Sequence, residues 1–256
     1  MQKKTLLLCF FVLFKFILQY QLTDPVYELH RDEYLHLDLG KHLAWGYLSV
    51  PPFTSWISFI ILKLGNTIFW VKFFPALFGA LVLVIVWKAI EALKGNLFAL
   101  VLGAICIIFS ALLRMNLLYQ PNSFDILCWV FLYYCLLMYI NSESNKWIWI
   151  AAIAFAIGFL NKYNIGFLIL GLVPALLASS HRKIFAQPSL YAAMLIAFIL
   201  ILPNLVWQYQ HDFPVIWHLK ELSTTQLVNV NRADFLKEQI LFFLSSLFVI
   251  IAAFIS

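Results

Sequence analysis

Apolar runs nearly as long as a bilayer is thick recur along the chain, and short polar segments separate them. A helix needs about 20 mostly apolar residues to cross about 30 Å of hydrocarbon. The runs lack the period-two alternation of barrel strands, so they predict helices. We predict about eight transmembrane helices, over residues 5–20, 68–90, 96–113, 122–140, 147–160, 164–180, 189–207 and 239–256.

Three segments need a separate interpretation. Residues 53–64 form an apolar run that is too short to assign as a span. The first run follows Lys3 and Lys4 as in a signal peptide, but no small-residue cleavage site follows it, so we interpret it as an uncleaved helix. The chain stops within the last apolar run, so we expect an N-terminal portion whose C-terminal part is missing.

Composition places the protein in the membrane. Hydrophobic residues make up 64% of the 256 residues and charged residues only 11%, whereas soluble domains carry about a quarter charged residues. The net charge of +5 comes from scattered basic residues without a basic stripe, so we expect no nucleic acid partner. The four cysteines lie in apolar runs and are interpreted as small hydrophobic residues. These features predict an all-α, polytopic helical bundle in one domain, 1–256.

Charge distribution separates the two faces of this bundle. With Lys3 and Lys4 in the cytoplasm, alternation places the loops near residues 88–94, 142–146 and 181–183 inside, where short basic loops belong. All of the 12 acidic residues except Glu91 and Glu143 then lie on the outer face, five of them between residues 24 and 38. Acidic residues have little influence on insertion, so this asymmetry indicates a functional site on the outer face of the membrane.

The polar segment 20–52 is the first extracytoplasmic loop in this topology. A structureless loop of that length is unusual unless it is functional. Leu35, Leu39 and Leu43 would share one helical face, so we predict a juxtamembrane helix over residues 33–45 that ends at Gly46. Asp32 then lies near its N-cap, where the helix dipole favours a carboxylate.

Asp32 and Glu33 are the first candidate site residues. In the functional interpretation they form an acidic site at the membrane surface, with Asp32 ready to accept a proton. In the alternative, Asp32 is only a helix cap and Glu33 a solvated acid in the first turn. The spacing alone favours the alternative slightly.

Four further residues are candidates for binding a substrate. Asp125 lies one turn inside an apolar run, where an ionisable residue indicates function unless it caps the helix. Lys162 is a lone cation between two apolar runs and could bind a phosphate or extend to the interface. Arg114 begins the polar segment before Asp125, and His42 lies four residues after Asp38.

The last polar stretch is rich in aromatic residues. These side chains could stack on a sugar or lipid head group, or could form an ordinary interfacial belt; they are Trp207, Tyr209, Trp217 and His218.

Four motifs carry a family resemblance, and they are HRDEYLHLDLGKHLAWGYLSVPPF, QPNSFDILCW, GFLNKYNIGFLILG and LPNLVWQYQHDFP. The chain resembles the N-terminal half of the bacterial integral-membrane glycosyltransferases of family 39, which have the GT-C fold. This group includes protein O-mannosyltransferases, the aminoarabinose transferase of lipid A and RgtA/B/C/D-like transferases. Residues 51–207 would be the RgtA/B/C/D-like core, and 20–52 the loop with the Asp-Glu motif.

The resemblance implies transfer of a sugar from a polyprenyl-phosphate donor to a lipid, glycan or protein acceptor, in contact with membrane lipids. It also implies a bacterial inner-membrane protein whose active site faces the extracytoplasmic, periplasmic side. Asp32 would be the general base, and Glu33 would help to hold the donor or acceptor. Lys162, and after it Arg114, would stabilise the leaving phosphate, while Asp125 would orient the donor sugar or a loop.

The resemblance implies no cofactor. A divalent metal is not expected, although Asp32, Glu33 and Asp125 could bind one if folding brings them together. The alternatives are a transporter or flippase of lipid-linked sugars, which should show internal repeats that we do not find, or an inactive truncated form.

Overall fold

The computed structural model describes residues 2–23 and 29–255, and every regular element in these ranges is helical. Asp24 and Glu28, two of the acids counted in the first loop, lie outside them. Four short 3-10 helices occur at 163–165, 180–186, 227–229 and 244–246. The α-helices are α1 Gln2–Gln21, α2 Arg31–Leu39, α3 Phe53–Lys63, α4 Ile68–Ala92, α5 Leu97–Ile108, α6 Leu112–Met115, α7 Pro121–Ser142, α8 Lys146–Phe159, α9 Gly166–Ala178, α10 Pro188–Gln210, α11 Pro214–Thr225, α12 Arg232–Phe242 and α13 Leu247–Ile255.

The helices confirm the all-α membrane class. Among the described residues, α1, α4, α7 and α10 are long and apolar enough to cross a bilayer. Two bent pairs raise the number to six if each pair is one span, namely residues 163–186 with a bend of 112° and residues 233–255 with a bend of 94°. Helices α3, α5 and α8 are apolar but shorter, so the prediction of about eight spans stays a prediction.

The bundle is built around α4 and α7. Helix α4 packs against α1, α5 and α7, and α7 packs in turn against α8, which contacts α10. Trp87, Leu100 and Ile108 are buried where α4 meets α5. Small residues lie where α8 meets α10, since Ala156 of α8 and Ala197 of α10 are buried in one cluster, and such residues let two helices approach closely.

Polar segments meet at one end of this bundle, which we call the polar end. Helices α2 and α3, the beginnings of α4 and α7, and the ends of α8 and α10 all contribute to it. The opposite end consists of the short turns α4–α5, α7–α8 and α9–α10. Three of the acidic residues, Asp32, Glu33 and Asp125, lie at this end.

Helix α2 is shorter than predicted, and a different face is buried. It ends at Leu39 instead of residue 45, and the next residue, Gly40, lies against α3, where an added Cβ would come within 2.7 Å of Ser58. Leu35 and Leu43 are exposed, whereas Leu37 is buried. The buried face consists of Glu33, His36, Leu37 and Gly40, which have helical spacing.

The cap of α2 also differs from the prediction. His30, not Asp32, is the N-cap residue, and its Nδ1 accepts a hydrogen bond from the Asp32 backbone N–H. The Glu33 carboxylate completes the capping box by accepting the His30 N–H at 2.9 Å. Asp32 is therefore the second helical residue, and its side chain is not used as the cap.

Candidate functional site

Glu33 lies at the centre of the polar end and is fully buried. Its Oε1 accepts the Tyr119 backbone N–H at 2.7 Å, and both oxygens lie within 2.9 Å of the Lys72 ammonium. With the His30 N–H, these donors occupy the whole carboxylate. The alternative in which Glu33 is a solvated acid is therefore wrong, and the contacts fix α2 onto α4 and the segment before α7.

Tyr119 extends this anchor to α3. Its hydroxyl donates to the Thr54 carbonyl oxygen at 2.9 Å and lies 2.8 Å from Ser58 Oγ. Burial raises the pKa of the Tyr119 phenol, so it acts as a neutral hydrogen-bonding group. The first loop is thus fixed on two helices beneath it.

Asp32 points to the surface beside this buried cluster. Its side chain is 39% exposed. Oδ2 accepts a hydrogen bond of 2.9 Å from Gln120 Nε2, and Oδ1 lies 3.4 Å from Nε of the exposed Arg31. An incoming hydroxyl can therefore reach the Asp32 carboxylate, whereas it cannot reach Glu33.

A chain of hydrogen bonds leads from Asp32 to Lys162. Gln120 Oε1 accepts from Asn122 Nδ2 at 3.1 Å, and Asn122 Oδ1 accepts from Lys162 Nζ at 2.7 Å. Lys162 is half-buried at the junction of α8 and α9. The structure thus joins two sequence-predicted site residues that are 130 positions apart through two amides that lie on either side of Pro121.

Asp125 is buried one turn below this surface. Its Oδ2 accepts a hydrogen bond of 2.8 Å from Asn164 Nδ2, which ties α7 to the junction of α8 and α9. In residues 2–23 and 29–255, no three acidic, histidine or cysteine side chains form a group that could hold a metal ion. Asp32, Glu33 and Asp125 thus do not come together as such a group.

Arg114 and His42 lie apart from the hydrogen-bonded site. Arg114 is exposed on α6, and His42 is exposed in the turn after α2, where its carbonyl oxygen accepts from the Tyr47 hydroxyl. Within the described ranges, no hydrogen bond or ion pair joins either side chain to Asp32 or Lys162.

The aromatic residues of the last polar stretch separate into two groups. Trp207 packs against the Gly46 backbone, where an added Cβ would lie 2.3 Å from its ring, and it stacks on His211 at 4.1 Å. Tyr209 and Trp217 are mostly exposed. Trp207 therefore fastens the first loop to α10, together with a hydrogen bond of 2.6 Å from Asn204 Nδ2 to the Trp45 carbonyl oxygen.

Sequence reasoning missed Lys72, Gln120 and Lys15. Lys72 and Lys15 each lie inside an apolar run, and an ionisable residue in a span is a sign of function or of a buried partner. Lys15 is buried and donates to Gln19, whose amide reaches the Leu113 carbonyl oxygen. Gln120 opens one of the resemblance motifs, QPNSFDILCW, but the local sequence does not indicate its partner, which is 88 positions away.

Comparison of the chain with known proteins identifies its family. The family described as dolichyl-phosphate-mannose-protein mannosyltransferase matches residues 49–207, which is more than half of the chain. The lipid A galacturonosyltransferase RgtD of Rhizobium johnstonii is 24% identical over 205 residues. That alignment covers 78% of this chain and 42% of the relative, so the chain spans less than half of that protein's length. The chain therefore belongs to the dolichyl-phosphate-mannose-protein mannosyltransferase family of membrane glycosyltransferases, and the family that its motifs resembled is confirmed.

Proposed function

We propose that this protein transfers a sugar from a polyprenyl-phosphate donor to an acceptor hydroxyl at the extracytoplasmic face, with Asp32 as the general base. One observation carries the proposal. An accessible carboxylate, Asp32, and a half-buried cation, Lys162, are held together at the polar end by one continuous set of hydrogen bonds. The reaction requires a base and a cation on the same surface.

The chemistry assigns one role to each group. As the acceptor oxygen forms a bond to the anomeric carbon, its proton passes to the Asp32 carboxylate. The bond between the anomeric carbon and the donor phosphate oxygen breaks, and the bond electrons stay on the lipid phosphate. Lys162 stabilises this anion, and Arg114 is the second candidate.

Glu33 and Asp125 support the reaction without touching the reacting atoms. The burial of Glu33 and its four hydrogen bonds favour an anchor that sets the position of its neighbour Asp32. The bond from Asn164 to Asp125 favours the orientation of a loop, here the one that carries Lys162. His42, exposed in the turn after α2, stays a candidate for binding a substrate.

An apolar groove next to the site suits the donor's hydrocarbon chain. It has a volume of about 430 Å³ and lies between the first loop and α10. Asn204, which follows Pro203 of the groove wall, accepts a hydrogen bond from the hydroxyl of Tyr163, the residue next to Lys162. The residues that line the groove are Trp45, Ile199, Leu202, Pro203, Val206, Trp207 and Gln210.

The family description and the relative name different sugars and acceptors. One names mannose on dolichyl phosphate and a protein, and the other names a galacturonosyl group and lipid A. Both descriptions name the transfer of a glycosyl group, but they differ in the sugar and in the acceptor. The proposal therefore specifies the donor only as lipid-linked and the acceptor only as a molecule with a free hydroxyl.

A sugar-transfer assay tests the proposal. It uses membranes that contain the protein in the full length that its gene encodes. Radiolabelled polyprenyl-phosphate sugars are incubated with wild type, with Asp32→Asn and with Asp38→Asn. Loss of a general base should lower transfer about 10²- to 10⁴-fold in Asp32→Asn. Asp38, an exposed acid on the same helix that pairs with the exposed Lys41, is the matched control and should be replaceable without loss.

Unchanged transfer by Asp32→Asn at equal protein level would contradict the role of the base. Absence of transfer from every polyprenyl-phosphate sugar, with wild type present and folded, would contradict the function itself. Movement of the labelled lipid across the bilayer without transfer would instead identify a flippase.

A further inference from the structure

We propose that Gln120 and Asn122 are positioning residues, which hold the Asp32 carboxylate and the Lys162 ammonium at a fixed separation and orientation. This inference rests on the proposed function, because it gives the two amides a role in sugar transfer. We call the chain of bonds Asp32–Gln120–Asn122–Lys162 the amide bridge.

The two ends of the amide bridge determine the orientation of both amides. An ionised carboxylate only accepts hydrogen bonds, and an ammonium only donates them. Gln120 must therefore present its NH₂ group to Asp32 and its oxygen to Asn122, which must present its own oxygen to Lys162. The three contacts follow that order, at 2.9, 3.1 and 2.7 Å.

The backbone that carries the amide bridge is fixed on both sides. Before it, the Tyr119 N–H is bound by the buried Glu33 carboxylate at 2.7 Å. Between the two amides, the Pro121 carbonyl oxygen accepts from Asn161 Nδ2 at 2.9 Å, and Asn161 is itself buried. Pro121 begins α7 with Gln120 as its N-cap, so the two side chains extend from a rigid helix start.

The amide bridge leaves the reactive faces of both charges available. Gln120 uses only one oxygen of Asp32, and Asn122 uses only one of the three protons of the Lys162 ammonium. The other Asp32 oxygen can accept the acceptor's proton while the remaining Lys162 donors bind the donor phosphate. A displacement of about 1 Å in such a pair costs about 10²-fold in rate.

Two variants test the amide bridge at different bonds. Gln120→Met removes the donor to Asp32, and we expect kcat to fall about 10²-fold while the KM for the donor stays within about twofold of the wild-type value. Asn122→Asp keeps an acceptor for Lys162 but cannot donate to Gln120 when ionised, so we expect a similar loss of kcat. Asn141→Asp, at the other end of α7 with an exposed side chain, is the matched control and should behave as wild type.

A double-mutant comparison separates positioning from a general structural role. If Gln120 acts through Asp32, Gln120→Met should have no further effect on the residual activity of Asp32→Asn. A residue that only stabilises the fold would lower activity by the same factor in both backgrounds. Thermal unfolding in detergent checks that the variants are folded, and Asn122→Asp, which changes little volume, is the second variant if Gln120→Met unfolds.

The two hypotheses fail in different ways. Unchanged transfer by Asp32→Asn overturns the role of Asp32 as the base, and the amide bridge with it, whereas absence of transfer by wild type overturns the proposed function. If Asp32→Asn loses transfer while Gln120→Met and Asn122→Asp match wild type, only the amide bridge is overturned. Losses that multiply independently in the double variant also overturn it.

Discussion

Two lysine–glutamate pairs lie at opposite ends of α4. Lys88 Nζ is 2.8 Å from Oε2 of Glu91, three residues later on the same helix, and the two side chains are 51% and 26% exposed. Lys72 Nζ is 2.6 Å from Oε1 of Glu33, 39 residues earlier, and these side chains are 12% and 0% exposed. The chemistry of the two pairs is the same, but only the second joins distant parts of the chain.

The difference in burial gives the pairs different consequences. An exposed pair is screened and contributes about 0–1 kcal/mol. In a buried pair, loss of one partner leaves an unpaired charge in a medium of low permittivity, which costs about 3–5 kcal/mol. The pair at the polar end therefore decides whether the first loop, with Asp32, stays on the bundle.

The largest effect that we expect is from Lys72→Met. The buried Glu33 carboxylate would keep only backbone donors, so the free energy of unfolding should fall by about 3–5 kcal/mol. Lys88→Met, the same change at the other end of α4, should cost about 0–1 kcal/mol. Denaturant or thermal unfolding of both variants in the same detergent measures the difference.

A second substitution sharpens this comparison. Glu33→Gln combined with Lys72→Met leaves no buried charge and keeps an oxygen that can accept the Tyr119 N–H. The double variant should therefore be more stable than Lys72→Met alone. Equal stability of Lys72→Met and Lys88→Met would contradict the assignment of the anchor.

A smaller effect on stability is expected when the pH is lowered, because His36 at the polar end would become protonated. Burial lowers the pKa of His36 from 6.5 to about 4, and Asp32 opposes this shift only in part. Between these pH values the unfolded chain binds a proton that the folded chain does not. Stability should therefore decrease as pH falls from about 6.5 to about 4, by about 1.4 kcal/mol per pH unit and about 3 kcal/mol in all.

His36→Gln should remove that decrease, as measured by unfolding at a series of pH values. His181, exposed at the opposite end of the bundle, is the matched control. His181→Gln should leave the pH dependence of wild type unchanged. A wild-type slope that persists in His36→Gln would contradict the assignment.

The smallest effect on stability is expected from a substitution at Gly40, where the first loop contacts α3. In Gly40→Ala the new Cβ would lie 2.7 Å from the Ser58 backbone, so the loop must shift, at a cost of about 1–3 kcal/mol. Gly171 in α9 has no atom within 4 Å of the same position, so Gly171→Ala should be neutral or slightly stabilising. Thermal unfolding compares the two, and a loss in Gly171→Ala alone would contradict the packing described for α2.

Long apolar runs predicted their own helices closely. The predicted spans 68–90, 122–140 and 189–207 correspond to Ile68–Ala92, Pro121–Ser142 and Pro188–Gln210. A bilayer-spanning helix satisfies its hydrogen bonds within the segment, so its sequence nearly suffices to define it. The nine-residue α2 differs, because its buried face depends on contacts with Ser58 of α3 and with Lys72 of α4.

The sequence by itself determined the membrane class and predicted a polar site that includes Asp32, Glu33 and Lys162, because hydropathy and charge can be interpreted locally along the chain. Only the tertiary structure decided which carboxylate of the Asp32–Glu33 pair is buried and which is accessible. That choice depends on three groups far away in sequence, Lys72, Tyr119 and Gln120. Adjacent residues of a helix point in directions about 100° apart, so one faces the bundle and the other the surface.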